Sequence, residues 1–131
     1  MRIALDTNIL VSVAISTGKV YRLFNSLFLR HDVITSQYIL DEFKKVLADK
    51  FHLPHDQINE VTEIIFRKLE FVEPLVINDI ELEDINDLPI LGTALAGKCQ
   101  YLISGDKGLY LLKNYHQIRI VKPADFPSEL L

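Results

Sequence analysis

Four acidic side chains stand where chemistry could be done: Asp6 in RIALDTN, Glu42 in SQYILDEF, Asp87 in INDLPILG and Asp106 in YLISGDKG. Asp6 follows the apolar residues Ile3, Ala4 and Leu5, and Asp106 follows Tyr101 to Ser104, so each ends a stretch that reads as a buried strand. A charge in that position is costly unless something compensates it. Asp87 lies just ahead of Pro89, where a helix is expected to begin. Each of the three aspartates, taken singly, can be a helix cap worth about 1 kcal/mol. Glu42 cannot, because it is mid-helix. On a helical wheel it falls about 40° beyond the arc of Ile39, Leu40, Phe43, Val46 and Leu47, while Asp41 points to water. Glu42 therefore either reaches out to solvent or faces the rim of the sheet.

In an open parallel sheet the carboxyl ends of the strands share one edge, and ligands bind there. Caps gather on the same edge, so convergence alone does not define a site. Carboxylates within a few ångströms of one another repel, and some take up protons at neutral pH. A divalent cation reverses that penalty. Oxygen donors alone, without cysteine or a suitably placed histidine, suit Mg²⁺ or Mn²⁺ rather than zinc. His52 and His55 in HLPH are separated by Pro54, have no third nitrogen or sulfur ligand nearby, and read as an exposed loop. His31 and His116 read as structural. The tyrosines are scattered, with no base-stacking platform.

The positioning elements follow from pattern. Arg2–Leu5, 32–35, 101–104 and 117–121 read as strands. Helices are expected over 19–30, from a Ser36 cap to about Lys50, over 54–69, over 89–97 and over 107–113, with another starting near Thr7 or Asn8. Residues 71–86 read as irregular with one short strand. Strands alternating with helices give an α/β fold with a parallel sheet covered on both faces. The apolar positions of helix 54–69 span about 200°, which fits either packing on two sides or a subunit interface.

The chain has 131 residues, enough for one domain, expected over 1–131. No apolar run approaches the roughly 18 residues of a membrane span, and no leader pattern opens the sequence. Cys99 is the single cysteine and reads as a small buried hydrophobe, consistent with a reducing cytoplasm. A net charge of −4 argues against bulk electrostatic attraction to nucleic acid. Setting aside the candidate acids, however, leaves as many acidic as basic residues. Lys44, Lys45 and Lys107 lie near the acids in sequence and are the candidates for a local RNA track; the alternative is ordinary solvated lysines.

ALDTNILVS, ILDEF, the D-x-P-I-L-x-T-A-L-A stretch and YLISGDKGLYLL together resemble the PIN-domain ribonucleases, and most of all the bacterial toxins of VapC-like toxin–antitoxin pairs. The resemblance runs from Arg2 to the closing IRIVKPADF, with the acids in the family's order. It implies a PIN-like three-layer fold with a central parallel sheet of four to five strands flanked by helices. Carried over residue by residue, it assigns Asp6, Glu42, Asp87 and Asp106 as the catalytic acids holding Mg²⁺ or Mn²⁺. Asn8 and Ser104 match ligand-orienting polar positions, and Asp84 matches an acid ahead of the third ligand. Gly108 departs from the pattern, since many members carry a further acid there, and this weakens the case for a second metal position. The activity implied is hydrolysis of single-stranded RNA by metal-activated water, leaving a 5′-phosphate and a 3′-hydroxyl. The partners implied are a cognate antitoxin and a second copy of the chain, in the cytoplasm.

Two other readings compete. A haloacid-dehalogenase-type phosphatase also uses a strand-end aspartate, but it wants an acid where Asn8 stands and another where Tyr110 stands. A PIN-like module that binds RNA or protein without cutting is the second.

Overall fold

The apolar run Ile3, Ala4, Leu5 is almost fully buried in the computed structural model, which describes residues 1–16 and 19–131, and it forms the interior of β1 (Arg2–Leu5). A strand apolar at consecutive positions is one covered on both faces, as parallel sheets require. β2 (Asp32–Thr35) and β4 (Tyr101–Ile103) flank β1, both parallel to it. β3 (Glu70–Phe71) joins β2 in parallel, β6 (Ile118–Val121) joins β4 in parallel, and β5 (Asn114–Tyr115) closes the far edge antiparallel to β6. The order is β3-β2-β1-β4-β6-β5.

The parallel part of the sheet has five strands, as expected, and β5 adds a sixth, antiparallel at the edge. β3 and β5 are two-residue edge strands, too short to carry an alternating pattern. His116, with φ 52°, makes the left-handed turn between β5 and β6.

The helices are α1 (Thr7–Ile15), α2 (Lys19–Arg30), α3 (Gln37–Asp49), α4 (His55–Phe66), α5 (Leu88–Ala96) and α6 (Lys107–Tyr110). Ser36 caps α3 as expected, its hydroxyl accepting from the Ile39 amide at 3.5 Å. α4 stops at Phe66 rather than Leu69 because the chain must turn there to deliver Glu70 and Phe71 to the sheet edge. α6 stops at Tyr110 rather than Lys113, whose φ of 63° turns the chain into β5. The broad apolar arc of α4 is mostly core: Ile58, Ile65 and Phe66 are buried, and the Phe66 ring meets Phe43 edge-on at 4.9 Å. Ile64 alone among its large apolar side chains stays exposed, at 49%. Cys99 is buried, and burial pushes its thiol up to about 12. No helix among the described residues is long and apolar enough to cross a membrane.

Between β3 and α5 runs an irregular strap, residues 72–86, fixed at separate points. The Val72 amide donates to Thr35 O at 2.9 Å, the Leu75 amide to Gly92 O at 3.1 Å, and the Tyr115 hydroxyl to Asp79 at 2.5 Å. Gly92 is required where it stands: a Cβ there would overlap the Leu75 carbonyl oxygen. The strap ends in a 3-10 turn, Ile85–Asp87, which runs directly into α5.

Candidate metal centre

Strand order reverses its direction of growth between β1 and β4, and at such a switch point the loops leaving the two strands part to open a crevice. Asp6 leaves β1 at that crevice, with its amide donating to Ile103 O at 3.0 Å, and is 3% exposed. Its carboxylate makes no cap bond to α1. Instead Oδ2 accepts from the buried Ser104 hydroxyl at 2.6 Å, and Ser104 Oγ in turn accepts from the Asp106 amide at 3.0 Å. Burial is the main influence on Asp6 and pushes its carboxyl up to about 6; the Ser104 hydroxyl and Thr7 amide oppose this, while the charges of Glu42 and Asp106 add to it.

Asp87 is also buried and makes no side-chain cap bond to α5. Its Oδ2 is buried without a hydrogen-bond partner among the described residues. Burial raises its carboxyl far above the usual range, followed by the Asp106 carboxyl beside it and the charges of Asp6 and Asp84. Asp106 does cap, accepting the Gly108 amide at Oδ1, 3.0 Å. Asp84 also caps, accepting the Asn86 amide at 2.9 Å ahead of the 3-10 turn. Capping thus accounts for Asp84 and for one oxygen of Asp106, and it accounts for neither Asp6 nor Asp87.

Glu42 turns inward, accepting the Thr7 hydroxyl from the first residue of α1. Pattern reasoning missed Thr7, whose only signal was its place beside Asp6. It also missed Tyr38, four residues before Glu42 on α3, whose hydroxyl donates to Asn86 O at 3.1 Å. Asn8, expected beside Ser104 as an orienting residue, is exposed and makes no hydrogen bond to the acids among the described residues; Thr7 makes that contact instead. Lys45, one turn after Glu42, shares its side of α3, whereas Lys44, two residues on, is turned about 160° away. Lys107 is exposed at the first position of α6, close in sequence to Asp106. None of these lysines forms an ion pair among the described residues.

The donor chemistry fits a hard divalent cation. Asp6, Asp87 and Asp106 bring only oxygens, and two of them sit where ionisation is costly. Asp87 Oδ2 has an unmet need that a cation, or a proton shared with Asp106, would satisfy. As the side chains stand, no three of His, Cys, Asp or Glu among the described residues form a closed ligand group. Asp87 and Asp106 meet directly, while Glu42 engages Thr7 through one carboxylate oxygen and has the other available.

A mostly parallel α/β sheet with buried acids gathered at its switch point defines the class of the protein. The PIN-domain family model matches residues 2–108, and the chain belongs to that family. This removes the phosphatase alternative. No curated protein matches the chain in sequence. Several solved structures share its fold. VapBC2 from Rickettsia felis, bound to a DNA fragment from its promoter, is similar with a TM-score of 0.65 and 18% identity, covering 92% of this chain and 97% of that one. Mycobacterium tuberculosis VapC20, a toxin that cleaves the sarcin–ricin loop, gives 0.61 and 13%, covering 89% and 98%. FitAcB from Neisseria gonorrhoeae gives 0.59 and 16%, covering 95% and 99%.

Proposed function

We propose that this protein is a Mg²⁺- or Mn²⁺-dependent endoribonuclease acting on single-stranded RNA, and the toxin of a toxin–antitoxin pair. The observation that carries the reading is the pair of buried, uncapped carboxylates, Asp6 and Asp87, placed with Asp106 at the switch point. Structural stability alone gives no reason to bury them there. Asp6, Asp87 and Asp106, with the Glu42 oxygen that Thr7 does not engage, would hold the cation. Bound there, it would supply Lewis-acid activation of water and stabilise the leaving oxygen of an in-line displacement. The chain's own residues orient: Ser104 fixes the Asp6 carboxylate, the Gly108 amide fixes that of Asp106, and the Thr7 hydroxyl fixes that of Glu42. No nucleophilic side chain is needed. Lys45 and Lys107 are the side chains best placed to meet RNA phosphates.

The toxin role is supported by full-length fold similarity to VapC20, described as a toxin, and to VapBC2 and FitAcB. A cognate antitoxin and a second copy of the chain are the partners, and the cytoplasm is the compartment, that this reading expects. The test is cleavage of a single-stranded RNA by purified protein with Mg²⁺ or Mn²⁺, with chelator, and as Asp6→Asn. Metal-dependent cleavage lost in the variant supports the proposal. Cleavage that persists in chelator overturns it, and RNA binding without cleavage by metal-loaded protein returns the non-cutting module.

A further inference from the structure

Tyr38 lies outside the acidic set yet touches its frame. It precedes Glu42 by four residues on α3, so the two side chains occupy neighbouring positions on one face of the helix. Its half-buried ring carries the hydroxyl to Asn86 O at 3.1 Å. Asn86 is the residue immediately before Asp87.

The 3-10 turn that presents Asp87 has no other hydrogen bond to α3 among the described residues. The Asp87 amide donates to Asp84 O at 3.0 Å and the Asn86 amide to Asp84 Oδ1 at 2.9 Å, both local bonds. Ile85, at its start, is 71% exposed and supplies no packing anchor. Asp87 makes no side-chain cap that would fix its own direction. Among the described residues, the Tyr38 hydroxyl makes the one hydrogen bond from this turn to α3; its other outward bonds include the Leu88 amide to Ile85 O, where it runs into α5, and the contact of Asp87 with the Asp106 carboxyl. Burial, and then the carboxylates of Glu42, Asp84 and Asp87, raise the phenol above its usual range.

We infer that Tyr38 is a positioning residue of the metal centre: its hydroxyl ties the Asn86 peptide to α3 and so sets where Asp87 stands relative to Glu42. The inference rests on the proposed function, since it assigns Tyr38 a role in the geometry of that same site. Removing the hydroxyl leaves the ring, its packing and all the acids in place, and frees the turn to lean away from α3. Outer partners of metal ligands typically contribute 10- to 100-fold in metal affinity. A partner acting through one peptide belongs at the lower end.

The experiment titrates Mn²⁺ into wild-type protein, Tyr38→Phe and Asp87→Asn by calorimetry, with the Mn²⁺ electron paramagnetic resonance spectrum as a second readout. The rise in melting temperature on adding Mn²⁺ is recorded for each, so a less stable variant is still scored by its own shift. Tyr38→Phe is expected to bind Mn²⁺ about tenfold more weakly, with an altered spectrum, a reduced Mn²⁺-induced shift, and a lower kcat at unchanged KM for RNA. Wild-type affinity and spectrum in Tyr38→Phe, with binding lost in Asp87→Asn, overturn this inference and leave the proposed function standing. Absence of Mn²⁺ binding by the wild-type protein overturns both.

Discussion

Ser104 donates its hydroxyl to Asp6 Oδ2 at 2.6 Å while accepting the Asp106 amide at 3.0 Å, so one buried oxygen joins the end of β1 to the loop that enters α6. Ser104→Ala removes a donor from a carboxylate that is 3% exposed and also strands the Asp106 amide. The expected loss of folding stability at neutral pH is about 1–3 kcal/mol, the range for leaving buried polar groups unsatisfied. Urea unfolding measures it. The hydroxyl favours the ionised form of Asp6, so its removal should also move the acid limb of the cleavage profile to higher pH. A variant with wild-type stability and pH profile would show that the contact does not govern Asp6.

The raised Asp6 carboxyl gives stability a definite slope with pH. Its folded value, about 6, lies above the ordinary 3.8, so in the metal-free protein the folded state binds the extra proton. Stability from this group is fullest below about pH 4 and declines as pH rises through 6, by roughly 3 kcal/mol in all. Asp87 acts with the same sign. Urea midpoints at pH 5, 6.5 and 8 should therefore fall in chelator, fall less in Asp6→Asn, and flatten with Mg²⁺ or Mn²⁺. A metal-free profile that rises over this range and runs parallel in Asp6→Asn would contradict the assignment.

Pattern reading works where an element is long enough to show a period or a cap. The apolar runs gave β1, β2, β4 and β6 nearly to the residue, and Ser36 marked the start of α3. It fails for β3 and β5, whose two residues are strands only because a neighbour's edge accepts them. For the site, residue type and strand-end position pointed to Asp6 and Asp106, while the partners of the acids stayed hidden. Thr7 and Tyr38 contact their partners across 35 and 48 residues, a relation no local window contains. Asn8 matched a motif, yet it is Thr7 that reaches the acids.

Gly92→Ala tests whether the strap is held by close backbone approach. An added Cβ would overlap the Leu75 carbonyl oxygen, and backbone on both sides leaves no flexible side chain to yield. Forced shifts of this kind cost about 1–3 kcal/mol or more. Because the strap leads into the turn carrying Asp87, Mn²⁺ affinity should fall along with the urea midpoint. A midpoint unchanged from wild type would mean that the strap does not pack as closely as described.

Gly108 offers a test by addition. A Cβ there would stand 3.3 Å from Asp87 Oδ2 and 3.5 Å from Asp106 Oδ1, so a side chain at this position faces the acids directly. No glycine among the described residues has positive φ, so backbone conformation does not oppose the change. Gly108→Asp adds a carboxylate to a pair that already resists double ionisation, which should make the metal-free protein less stable at pH 8 than at pH 5. A divalent cation reverses the sign of that crowding. Gly108→Asp should therefore bind Mn²⁺ more tightly than wild type and show a larger Mn²⁺-induced rise in melting temperature. Gly108→Asn, of nearly equal size and no charge, separates electrostatics from space: it should show neither gain. Equal weakening of Mn²⁺ binding in both variants would mean that the glycine is there for room, and that the acids already present complete the cation's ligand set.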